Sequence, residues 1–212
     1  MKKIYIQLMV VLVSGLLFTS CDADSSANVS KVTFYPNLTM HGDELVVLNQ
    51  GETYTEAGVD AEANGQSLPV KISGTVDTSK PSMYKINYSA VNTDGFPATL
   101  TRTVVVLSTA PSTINLEGSF VRGANVNVVT KIGDRKYVCD NATGYNVDAD
   151  NLTLEFYNID DKQIYAPYNP SASESGISAE SNIGTITDKD NWKWVIYASS
   201  VFGTAERIFK RI

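Results

Sequence analysis

The side chains of this sequence best suited to chemistry are aromatics set among carboxylates and amides, and the chemistry they suit is binding. Trp192 and Trp194 are the only tryptophans. One residue separates them, so in a strand both point to the same face, together with Ile196. Tyr145, Tyr165 and Tyr168 fall in or beside loops, the last two flanking Pro167. Flat rings stack on the C–H faces of sugars, and Asp and Asn accept from sugar hydroxyls. The tryptophans carry two readings, a ligand platform or the inner face of a sandwich strand. The loop tyrosines are candidate binding elements because loop aromatics often serve that way.

Other candidate groups point away from catalysis. Asp140, Asp148, Asp150 and Asn151 could offer oxygen ligands to Ca²⁺, but the run lacks the turn glycine and the twelfth-position Glu of an EF-hand loop. A solvated turn is the better reading. His41 is the single histidine, placed just before Gly42-Asp43, and reads as a turn residue; a catalytic triad or a histidine-rich metal site needs partners this chain does not offer. Glu155, Asp160 and Asp161 are carboxylates of a kind any acidic protein carries, whereas a glycosidase needs two placed across a cleft. Cys139 reads as a small buried apolar residue. No glycine-rich phosphate loop is present. The expectation is a protein that is not an enzyme, with no cofactor and no metal.

The formal net charge is −6, which argues against nucleic acid as a partner, since Lys and Arg supply most of that affinity. The N-terminus has Lys2 and Lys3, an apolar run from Ile4 to Phe18, then Thr19-Ser20-Cys21. That is the layout of a secretory leader over residues 1–20, too short for a comfortable membrane span. Residues 21–30 are polar and acidic and read as a flexible tether.

Leu17-Phe18-Thr19-Ser20-Cys21 resembles a bacterial lipobox. The resemblance implies that Cys21 is acylated and holds the chain to a membrane, because two or more acyl chains anchor stably where one does not. An ordinary leader with a cysteine near its cleavage site is the alternative. The acidic tract after Cys21 resembles the surface-export signal of Bacteroidota lipoproteins, which implies an outer-membrane protein facing the exterior.

Beyond the tether the signal is for short strands. Val32–Phe34, Glu44–Leu48, Val70–Ile72, Tyr84–Ala90 and Thr99–Leu107 are rich in β-branched and aromatic residues and separated by turn residues such as Asn64-Gly65 and Asp94-Gly95. Tyr84, Ile86, Tyr88 and Ala90 alternate onto one face. The end of the Thr99–Leu107 run is apolar on both faces, as a strand covered on both sides requires. This spacing predicts a small Greek-key sandwich. Gly51–Ala61, Val76–Pro81, Tyr84–Ala90, Asp94-Gly95 and Thr101–Val106 together resemble the bacterial surface immunoglobulin-like module over residues 31–107. The family implies a spacer or binding scaffold with no catalytic residues.

Ser108–Ser112 reads as a linker. Residues 113–212 carry further strand signals at Val126–Val129, Lys136–Cys139, Leu152–Tyr157, Gln163–Tyr165, Ile183–Ile186, Trp192–Tyr197 and Arg207–Ile212, with hairpin turns at Gly133-Asp134 and Asp160-Asp161. Gly118-Ser119-Phe120, Asn141–Tyr145 and Val201–Arg207 give this half a resemblance to the C-terminal domain of unknown function that accompanies the immunoglobulin-like module in Bacteroidota lipoproteins. The expected fold class is all-β, an immunoglobulin-like sandwich followed by an antiparallel sandwich or barrel-like domain. The expected role is a non-catalytic surface binding module, with a polysaccharide or an outer-membrane uptake complex as partner. A structural, adhesive or protein-interaction module is the alternative.

Overall fold

The computed structural model describes residues 32–145, 150–198 and 201–212. Residues 1–31, which include the stretches read as leader and tether with Cys21, and Asp148 lie outside the described residues. Val32, Thr33 and Phe34 form no strand. Their β propensity is not enough, because a strand exists only with a ladder partner.

Tyr35–Ile212 is one compact unit with two parts. In the first, β1 (Asn37–Met40), β3 (Val59–Ala63) and β4 (Gln66–Ser67) form one sheet in the order β1-β3-β4. The other sheet contains β2 (Leu45–Asn49), β5 (Lys71–Ser73), β6 (Ser82–Val91) and β7 (Pro97–Leu107), in the order β2-β7-β6-β5. The pairing of β2 with β7 is parallel, from Leu45 opposite Thr103 to Asn49 opposite Leu107. Between the sheets Val59, Ile86 and Tyr88 pack with Leu38, Met40, Val70, Val76 and Leu100. The alternation read from Tyr84 to Ala90 is the alternation observed, with Ile86, Tyr88 and Ala90 buried.

Arg102 falls on the inward face of β7 and is buried. Its guanidinium donates to Glu56 and to the His41 carbonyl, and its Nε donates to the Asp43 carbonyl at 3.0 Å. Burial works against an ionised Glu56, yet hydrogen bonds from the Tyr54 hydroxyl and the Gly58 amide, with the Arg102 charge, hold its carboxyl down at about 2. A buried ion pair of this kind survives because both partners are also hydrogen-bonded.

The second part is a closed barrel of eight strands: β8 (Gly118–Arg122), β9 (Asn125–Gly133), β10 (Lys136–Cys139), β11 (Leu154–Asn158), β12 (Gln163–Tyr165), β14 (Gly184–Asp188), β15 (Asn191–Trp194) and β17 (Arg207–Arg211). Every neighbouring pair is antiparallel, and β17 returns to pair with β8. The short β13 (Glu180–Ser181) and β16 (Ile196–Tyr197) pair with each other outside the barrel ladder. Closure removes exposed strand edges. In this up-and-down course the tight connections at 134–135, 159–162 and 189–190 fall at one end. The β8–β9 turn at 123–124 and the long connections 140–153, 166–183 and 195–206 fall at the other.

Inward side chains fill the barrel. Phe120, Tyr137, Phe156, Trp192, Trp194 and Phe209 are all buried there. Trp192 stacks on Phe209 with ring centroids 4.2 Å apart, and meets Trp194 edge-on at 4.8 Å. Gly184 is needed beside this cluster, because a Cβ there would lie 2.6 Å from the Lys193 carbonyl and 2.8 Å from Trp194 Cβ.

The two parts share a third apolar cluster. Val105 and Leu107 from the outer face of β7, with Leu45 and Met83, pack on Tyr157, Ile159 and Tyr165 on the barrel wall. This explains the apolar residues on both faces of late β7: one face lines the sandwich and the other meets the barrel. The stretch read as a linker is pinned rather than free. Ser108 N–H donates to the Ile159 carbonyl at 2.8 Å, Arg135 Nη2 to the Ala110 carbonyl at 2.8 Å, and Ser112 Oγ to Asp161 Oδ1 at 2.6 Å.

Candidate functional site

The aromatics singled out from sequence separate into two groups. Trp192 and Trp194 share one face, as their spacing requires, but that face is the barrel interior. Neither offers a surface to a ligand, and Trp194 Nε1 is committed to the Ala142 carbonyl at 2.9 Å. Tyr165 is also sealed, under the sheet that covers β12, and burial pushes its phenol up to about 12. These three are corrected from candidate ligand-binding residues to packing residues. The period of a strand fixes which residues share a face but not which side is water. Tyr145 and Tyr168 remain exposed, at 46% and 59%, and both belong to the long-loop end of the barrel.

The other candidates also find places. Cys139 is buried, its thiol pushed up to about 12 by burial and touched by the Asn127 amide at 3.3 Å, so it is an inert packing residue. His41 sits just past β1 with Nε2 3.0 Å from Asp60. Asp140 Oδ1 accepts from the Val128 amide at 2.7 Å, and Asp150 accepts from Ser175 Oγ. Among the described residues no group of acidic, His and Cys side chains has the arrangement of a metal site. Asp161 is a structural residue of the pinned segment. It accepts from Ser112, Thr113 N–H, Asn158 and Arg135, and these bonds overcome the cost of burial and hold its carboxyl at about 2.

Tyr168 stands in a cleft between the four-stranded sheet and the 166–183 connection. Glu44, Leu45, Lys85, Thr101 and Thr103 line the sheet side, and Pro167, Tyr168 and Glu180 line the barrel side, around about 310 Å³ of space. Each wall has a cause. Thr101 and Thr103 alternate outward from β7, Lys85 does so from β6, and Glu180 is fixed by the β13–β16 pairing. Lys85 Nζ and Glu180 Oε2 meet across the cleft at 3.5 Å, and Thr101 Oγ1 donates to Asn87 Oδ1 at 2.9 Å. The result is an exposed ring beside hydroxyls, a cation and two carboxylates. That set can stack on a ring and satisfy its hydroxyls in both directions, in a space of the lower size for small-molecule sites.

The sequence analysis placed Tyr168 but missed its neighbours. Glu44, Lys85, Thr101 and Thr103 are brought together by the β2-β7-β6 pairing, and Glu180 joins them because β7 packs on β12. The one legible sign was the apolar outer face of late β7, which announced a covering layer without naming it.

Residues 38–106 match the family model described as bacterial surface protein, Ig-like domain. No curated protein matches the chain. Among solved structures, a lipoprotein from Bacteroides thetaiotaomicron is similar at 24% identity over 84% of this chain and 100% of that chain, with a TM-score of 0.38. Two structures from Clostridium perfringens ZmpB are also similar. One holds the M60 catalytic domain with CBM51 domains, at 15% identity over 84% of this chain and 21% of that chain, TM-score 0.30. The other holds CBM51-2 in complex with GlcNAc and INT domains, at 14% identity over 82% and 43%, TM-score 0.31. TM-scores this low establish no common global arrangement.

Proposed function

We propose that this chain is a non-catalytic binding module of a bacterial cell surface, anchored through acylated Cys21, that takes a saccharide in the Tyr168 cleft. The surface Ig-like match over residues 38–106 supports the location. The observation that carries the ligand class is the cleft, where a half-exposed phenol ring stands among Glu44, Lys85, Thr101 and Glu180. Stacking serves the apolar ring face and the polar wall serves the hydroxyls. In this reading the immunoglobulin-like part is one wall of the site as well as a spacer, and the bound sugar is handed to an outer-membrane uptake system.

The test is affinity electrophoresis of the purified chain through gels of immobilised polysaccharides. Retention by at least one polysaccharide is expected, with at least about a tenfold loss for Tyr168→Ala. Absence of retention on every polysaccharide, or equal retention of the variant, would overturn the saccharide reading.

A protein-interaction role has one observation in its favour. Val126 and Val128 on β9 and Ile208 on β17 are exposed on the barrel strands that flank β8 on either side. Apolar surface of this kind on a sheet often meets a partner. A pull-down from solubilised outer membrane that is lost with Val126→Asp and Val128→Asp, while saccharide binding persists, would favour that role.

A further inference from the structure

Three arginines lie against carboxylates: Arg102 with Glu56, Arg135 with Asp161 and Arg211 with Asp190. Arg122 and Arg207 have no such partner among the described residues. Both lie at the long-loop end of the barrel, away from the Tyr168 cleft. Arg207 points inward from β17 and is 1% exposed. Its terminal nitrogens donate to the carbonyls of Phe202, Gly203 and Ala205 at 2.9, 3.1 and 2.9 Å, and its Nε is buried without an acceptor. Carbonyl dipoles satisfy most of its donors, and no described carboxylate matches its charge.

Arg122 ends β8 and lies over the Tyr145 ring, 4.5 Å from the ring centre. The sequence builds this contact deliberately. Gly144 has φ +63°, and a Cβ there would come within 2.6 Å of the Arg122 side chain, so only glycine both makes the turn and leaves the guanidinium its path. Asn125 Nδ2 donates to the Gly144 carbonyl at 3.0 Å and Asn141 Nδ2 to the Tyr145 carbonyl at 2.6 Å, which fixes the backbone under the ring. The ring holds Arg122 in place. Beside it is a recess of about 420 Å³ bordered by Arg122, Gly123, Ala124, Asn125, Tyr145, Glu206 and Ile208. Glu206 is the acidic member of that border, and it is already paired with Lys193 at 3.0 Å.

We propose that this recess is a second binding site, selective for the carboxylate of an acidic sugar such as a uronic acid. A planar guanidinium held by an aromatic ring matches a carboxylate in two parallel hydrogen bonds. Arg207, buried on the neighbouring strand β17 and near enough to Arg122 for their charges to interact, adds positive potential. The recess is far larger than an inorganic anion, and its small-residue floor at Gly123 and Ala124 leaves space for the ring that carries the carboxylate. The assignment is independent of the Tyr168 cleft.

Calorimetric titration of the purified chain at low ionic strength with glucuronate, glucose and sulfate tests it. Glucuronate is expected to bind, glucose not to bind, and sulfate to bind more weakly than glucuronate. Arg122→Gln is expected to weaken glucuronate by about tenfold to a hundredfold, and Arg122→Lys to lie between it and the wild type. Glucuronate binding no tighter than glucose, or unchanged in both Arg122 variants, would overturn the site. Sulfate binding as tightly as glucuronate would overturn the sugar class. If Arg122→Gln fails to fold, the Arg122→Lys affinity alone decides, and wild-type affinity there counts against the site.

Discussion

The two ends of the barrel handle a buried arginine in opposite ways. At the tight-turn end, Arg135 meets Asp161 at 3.0 Å, and Asn158, Ser112 and Thr113 complete the arrangement. At the long-loop end, Arg207 meets backbone carbonyls and another cation, with no carboxylate partner among the described residues, and burial first, then the nearby Arg122 charge, lowers its pKa. A matched pair closes a structure; an unmatched charge leaves it able to accept something from outside. The difference teaches which end is built to hold the chain together and which is open to a ligand.

Several measurements would break or sharpen that contrast. The barrel interior serves both ends equally, so Trp192→Ala should lower stability by about 3–5 kcal/mol in chemical denaturation. A much smaller loss would mean the interior is not the common support. Asp161→Ala leaves Arg135 buried and uncompensated, and should cost about 3 kcal/mol. Arg207→Met orphans no described carboxylate and should cost only about 1–2 kcal/mol for the hydrogen bonds that its carbonyl acceptors lose. If the two losses were equal, the ends would not differ as described.

Acid should expose the same contrast. Asp161 and Glu56 have carboxyls held at about 2 in the folded chain, below the usual unfolded values of about 4. The stability they contribute is complete above the unfolded values and is lost as pH falls from about 4 through about 2. Denaturation midpoints between pH 5 and pH 2 should fall for the wild type and fall less for Asp161→Asn. The smallest effect belongs to Tyr168→Ala, which should change stability by no more than about 0.5 kcal/mol while removing polysaccharide retention.

The sequence made the strands of the first half legible because one buried face imposes a period of two, visible from Tyr84 to Ala90 and again from Leu100 to Val106. It made the second half legible as an antiparallel sandwich or barrel-like domain without choosing between the two, since closure depends on β17 finding β8 across the whole domain. Tyr165 was misplaced for a related reason. It faces out from the barrel, and only the other half of the molecule, packed on it, turns outside into inside. The arginine pair left a faint trace: Phe209 is an inward residue, so Arg207, two positions before it, had to point inward as well.

The parallel pairing of β2 with β7 has a mechanical consequence. β2 lies toward the N-terminal side of the chain and β7 leads into the barrel, so a pull between the two ends slides these strands along each other. Sliding loads the rungs from Leu45–Thr103 to Asn49–Leu107 together, whereas peeling would break them one by one. A module tethered at one end and gripping cargo at the other would meet fluid drag with its rungs in shear.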